Sequence, residues 1–151
     1  MFIKEIDLFE GMSQGFIDEI AQIMVEESYN KGSLIFKAGD PAQNFYVLEE
    51  GEVRLSIGKE GHITYTLTSP GDSFGWSSLV DRDAYTASAE CTLSCKVIKI
   101  EEEKLRKVFD KHRASGLMFY KRLARTIGER LINNYQMLMS AYKGEGPPSY
   151  G

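Results

Sequence analysis

The chain has two histidines, two cysteines and one tryptophan in 151 residues, and these scarcities narrow its chemistry. His62 and His112 stand far apart, with no two-histidine-plus-carboxylate spacing, so a metal site of the cupin type is not expected. No serine or cysteine has a histidine placed to activate it, which argues against nucleophilic catalysis and against an enzyme in general. Cys91 and Cys95 are separated by Thr92, Leu93 and Ser94. A tight turn there would bring the thiols together, whereas an extended strand would hold them too far apart for a disulfide. Without an export signal they are expected as reduced residues at the edge of a core. No apolar run approaches the ~20 residues of a membrane span, and the opening MFIKEID is too charged for a signal-peptide core. A cytoplasmic protein is expected. The net charge of −4 excludes broad attraction to anionic membranes or to nucleic acid, so direct DNA binding is not expected either.

What the chain does have is enough apolar content, 42%, for one self-sufficient core. Ser13 can cap a helix over 13–27, in which Phe16, Ile20, Ile23 and Met24 recur at three- and four-residue spacing. From Lys31 the period changes. Val53, Leu55 and Ile57, then Ile63, Tyr65 and Leu67, alternate with polar residues as half-buried antiparallel strands do. Turn signals at Lys31-Gly32, Gly39-Asp40-Pro41, Glu50-Gly51, Lys59-Glu60-Gly61 and Pro70-Gly71-Asp72 suit a small antiparallel barrel or roll. The expected class is therefore α+β, mainly β.

After Ile100 the composition becomes helical. EEEKLRKVFDKH predicts a short helix with acids at its positive end, and a longer one follows from about Ala114 to about Tyr142. In the longer helix Leu117, Ala124, Leu131 and Leu138 recur every seven residues, as do Tyr120, Ile127, Asn134 and Ala141. Such a seam, interrupted only by Asn134, predicts a homodimer through this helix, with Leu123 and Ile132 left to serve the barrel. The alternative is that the stripe packs on the chain's own barrel. Lys104, Arg106, Lys107, Lys111, Arg113, Lys121, Arg122, Arg125 and Arg130 are interleaved with acids and read as a solvated helix face.

The phrases LFEGMS, YNKGSLIFKAGDPAQNFYVLEEGEVRLS and PGDSFGWSSLV, with glycines at Gly32, Gly39, Gly51, Gly71 and Gly75, resemble the cyclic-nucleotide-binding domain superfamily of catabolite activators and kinase regulatory subunits. The resemblance runs from about Leu8 to about Tyr142. It implies an antiparallel β-roll over about 31–100, C-terminal helices over about 101–142, one domain over 1–143 and a flexible tail over 144–151. It also implies a phosphate-binding cassette at FGWSSLVDRDAYTA, from Phe74 to Ala87. In such a cassette, backbone amides opening a short helix favour an anion. Gly75 permits close approach, and Ser77, Ser78 and Thr86 add hydroxyls.

The cassette departs from its relatives at two positions. Where cyclic-nucleotide binders carry a ribose-binding glutamate stands Trp76, and where they carry the phosphate-pairing arginine stands Tyr85. Cyclic AMP and cyclic GMP are therefore doubtful ligands. One reading is a re-tooled sensor for a different nucleotide or a small aromatic or carboxylated ligand, bound by Phe74, Gly75, Trp76, Ser77, Ser78, Leu79, Tyr85, Thr86 and Ala87, with Arg82 as substitute cation. The resemblance adds Asn134, at a helix position that reaches the base, often across the dimer. A second reading is a ligand-free dimerisation or interaction module whose pocket Trp76 and Tyr85 fill, and a third is weak cyclic-nucleotide binding. Relatives place a helix-turn-helix directly after the long helix. Here the sequence ends within nine residues of Tyr142, so the signal is expected to pass to a separate protein partner.

Overall fold

The structure is a computed structural model and describes residue 3 and residues 6–58 and 63–142. The turn at Lys59-Glu60-Gly61, His62 and the tail over 144–151 lie outside the described residues. A short turn at Asp7–Phe9 precedes helix α1, Gln14–Ile23. Among the described residues eight strands follow: β1 Met24–Tyr29, β2 Leu34–Phe36, β3 Asn44–Glu50, β4 Val53–Ile57, β5 Ile63–Leu67, β6 Ser73–Phe74, β7 Ser88–Cys91 and β8 Cys95–Glu101. Helices α2, Glu102–Lys111, and α3, Arg113–Ala141, close the order.

Ser13 caps α1 as its position suggests, its Oγ accepting the Phe16 amide at 3.3 Å. The helix stops at Ile23, short of the expected residue 27, because the chain turns extended at Met24. Met24–Tyr29 instead forms an edge strand antiparallel to β8, from Met24 opposite Ile100 to Tyr29 opposite Cys95. The spacing of Ile20, Ile23 and Met24 suits a helix, but the open edge of β8 needs backbone partners, and tertiary pairing wins. The first strand therefore begins at Met24, before Lys31. A cross-strand ion pair, Lys99 to Glu27 at 2.9 Å, ties β1 to β8.

Two four-stranded antiparallel sheets, β1-β8-β3-β6 and β2-β7-β4-β5, make the roll. β4 and β5 pair from Val53 opposite Leu67 to Ile57 opposite Ile63, as their alternation predicts. β3 is buried on both faces. Phe45 and Val47 join the helical core, while Tyr46 and Leu48 join the interior of the roll. β8 divides in the same way, with Ile98 and Ile100 toward the helices and Val97 toward the roll. The period of two thus sorts one strand's side chains into two separate cores.

The helical core is aromatic. Phe119 of α3, 0% exposed, lies 5.0 Å from Phe109 of α2, 5.5 Å from Phe9 and 5.8 Å from Phe45, ring centre to ring centre. Gly116 permits this approach, since a Cβ there would meet Phe109 at 3.1 Å. Cys91 and Cys95 are buried free thiols, and burial, followed by the neighbouring Cys95, pushes Cys91 up to about 12. Such a thiol is a poor nucleophile near neutral pH. Leu123 packs in the helical core rather than in the roll interior, and Ile132 is 54% exposed and does not serve the roll. No described helix is long and apolar enough to cross a membrane.

Candidate functional site

The cassette leaves β6 through Gly75, whose φ of 75° is left-handed. A Cβ there would come within 3.0 Å of the Asn44 carbonyl and 3.1 Å of the Tyr46 ring, so backbone conformation and space both call for glycine. A single helical turn, Trp76–Leu79, follows. Its closure uses the Ser78 hydroxyl, which donates to the Gly75 carbonyl at 2.9 Å and is buried. Beyond a left-handed Asp81 (φ 58°), the loop is sewn to the turn at residues 39–42. Tyr85 N donates to the Asp40 carbonyl at 3.0 Å, and Ala42 N to the Asp83 carbonyl at 2.9 Å.

Tyr85 does not present its phenol to the loop. Its ring stacks on Phe36 at 3.8 Å, and its hydroxyl donates to the Asn44 carbonyl at 2.7 Å while accepting the Asn44 amide at 3.0 Å. Burial raises its pKa. Tyr85 is therefore a structural pin for β3, and its ring becomes wall.

That wall belongs to a cavity of about 330 Å³ between the cassette, the β4–β5 hairpin and the second half of α3. Gly75, Trp76, Ser77, Tyr85, Thr86, Ala87 and Asn134 line it, together with Ile127 and Leu131 of the heptad stripe. Four residues expected at the site lie outside the lining. Phe74 is wholly buried in the roll core, Ser78 closes the short turn, Leu79 packs in the helical core, and Arg82 is exposed on the loop.

The cation inside the cavity comes from α3. Arg130 donates to the Ser73 carbonyl, its guanidinium lies 5.2 Å from the centre of the Tyr65 ring, and burial lowers its pKa. It was expected on a solvated helix face. Its place on the turn before Asn134, which the resemblance already directed to the pocket, is the signal that could have found it. Arg122 also leaves the solvated set, donating to the carbonyls of Asp7, Leu8 and Glu10. Arg106, Lys107 and Lys104 do pair with neighbouring acids.

The heptad stripe divides as well. Tyr120 packs on Phe109 and Phe119, and Ile127 packs against the helical core. Leu131 and Asn134 face the cavity. Ala124, Leu117 and Leu138 are exposed, Leu117 at 74%.

A sequence profile described as "Cyclic nucleotide-binding domain" matches residues 26–112. A cAMP-dependent protein kinase regulatory subunit of Colletotrichum orbiculare is 31% identical over 99 residues, which cover 66% of this chain and 25% of that protein. Human cGMP-dependent protein kinase 2 is 27% identical over 107 residues, covering 66% of this chain and 14% of the kinase. The chain thus spans a quarter or less of these relatives. Among solved structures, a candidate cyclic nucleotide-binding protein from Geobacter metallireducens superposes with a TM-score of 0.75 at 31% identity, over 85% of this chain and 95% of that one. The catabolite activator protein of Thermus thermophilus shares the fold, with a TM-score of 0.69 at 24% identity over 87% of this chain and 63% of its own. With that profile matching more than half of the chain and the fold superposing on these structures, this chain belongs to the cyclic-nucleotide-binding domain family.

Proposed function

We propose that the chain is a non-catalytic sensor domain of the cytoplasm, which binds a small anionic or nucleotide-like ligand in the cavity between cassette and α3 and signals through its C-terminal helices. The observation that carries this reading is the cavity itself. Trp76 and Tyr85 are large enough to have plugged it, yet both stand in its wall around about 330 Å³ of open space. A pocket of this size, mostly apolar with a few convergent polar groups, is typical of small-molecule sites.

The regulatory relatives make cyclic AMP and cyclic GMP natural first compounds. Without the cassette's arginine and glutamate, both should bind weakly, since one lost charge-assisted hydrogen bond is worth about ten- to a hundredfold. A homodimer through α3 is part of the proposal, supported by the exposed Leu117 and Leu138. The same exposed apolar residues favour a second reading, an interaction module that works without ligand.

Thermal unfolding against cyclic nucleotides, linear nucleotides and small aromatic acids separates the two. A ligand at about a hundredfold excess over its Kd adds roughly 2.7 kcal/mol, an easily measured rise in Tm. No shift with any compound, in a protein that light scattering finds dimeric, would favour the interaction module.

A further inference from the structure

We propose that the ligand of this cavity is an aromatic monoanion whose charged group pairs with Arg130 of α3, so that the cation lost from the cassette has been relocated to the helix. The inference rests on the sensor reading and specifies its chemistry. Among the described lining residues, Arg130 is the one that carries a full charge. A guanidinium in such a wall favours a partner of negative charge.

Arg130 is also incompletely matched as it stands. Its partners are neutral, the Ser73 carbonyl and the ring and hydroxyl of Tyr65, and it takes part in none of the ion pairs among the described residues. Asp72 acts on it electrostatically, but no ion pair joins the two among the described residues. A guanidinium has five donors in a fork that fits a carboxylate, and a partly desolvated one gains most from an anionic partner. Arg82 is not a rival, being exposed and outside the lining.

The remainder of the wall defines the ligand's body. Phe36, Tyr65, Trp76 and Tyr85 present ring surface, and Leu55 and Ile127 add aliphatic surface. Flat apolar matter suits such walls, and the volume lies at the small end of ligand pockets. Thr64, Ser77 and Asn134 offer a few hydrogen bonds around the edge. Among the described lining residues no acidic side chain stands ready for a sugar hydroxyl.

Calorimetric titration of the intact protein with naphthalene-2-carboxylate and its uncharged twin, naphthalene-2-carboxamide, tests the assignment. The carboxylate should bind at least about tenfold more tightly, the effect expected for one charge-assisted pair. Arg130→Gln should remove that preference without weakening the carboxamide, Arg130→Lys should keep part of it, and Arg82→Gln should keep it all. If acid and amide bind alike to the unmodified protein, or if Arg82→Gln rather than Arg130→Gln removes the preference, the relocation is wrong while the sensor reading stands. If neither twin nor any compound of the thermal scan binds, both fall. The twins need no substitution, so a variant that fails to fold leaves the test intact.

Discussion

From Gly116 to Leu123, α3 is a core helix that buries Phe119 and Leu123 among the aromatic side chains of α1, α2 and β3, whereas from Gly128 to Ala141 the same helix has no fully buried residue. The first half is held by packing. The second is held to the roll by the wall of a cavity and by Arg130. Packed cores resist deformation, while an element resting on a cavity can re-pack when that cavity fills. One continuous helix thus joins a packed segment to one that borders the cavity.

The largest expected contrast within α3 is between Phe119 and Met137. Phe119→Ala should destabilise the fold by about 3–5 kcal/mol in urea or thermal unfolding, as aromatic truncations in packed cores do. Met137, 67% exposed, should cost at most about 0.5 kcal/mol on the same change. Similar losses at both would erase the distinction between the halves.

Arg122 sharpens it at smaller scale. Its guanidinium clamps the carbonyls of the Asp7–Phe9 turn and Glu10, so Arg122→Gln should cost about 1 kcal/mol once its exposure is allowed for. Hydrogen exchange offers a direct view of the same difference. Amides from Phe119 to Leu123 should exchange slowest in α3, and those beyond Leu131 fastest.

The smallest effect concerns pH. Glu19 of α1 accepts from Lys111 at 3.1 Å and contacts His112, the two residues at the α2–α3 junction. Lys111, then His112, hold its carboxyl below the ordinary 4.5. Because the folded pKa is depressed, the contribution is fully present above that ordinary value and disappears as pH falls through the lowered one. Glu19→Gln should therefore flatten the dependence of Tm on pH below about pH 5 and leave the neutral range nearly unchanged in slope. An unaltered acid limb would show that the junction is not held this way.

Much of this architecture was legible in the residues. The alternation of Val53 to Ile57 against Ile63 to Leu67 specifies a paired hairpin, because the side-chain period of a strand is local. Ser13 signals its helix start, and the bounds of α2 and α3 follow from composition within a residue or two. The end of α1 was not legible, since what turns Met24 into strand is the unfilled edge of β8, more than seventy residues away.

The candidate site divides in the same manner. The loop from Phe74 to Ala87, its glycine at position 75 and its Trp76 and Tyr85 could be read from the residues, and the resemblance marked that loop as the candidate cassette, because these features depend on residue identity and local backbone. That Tyr85 turns its hydroxyl onto Asn44, that Ser78 closes its own turn, and that Arg130 rather than Arg82 enters the cavity are products of tertiary packing. A side chain's direction is set by what surrounds it, and those surroundings come from β2, β3 and α3, distant in sequence and adjacent only in the fold.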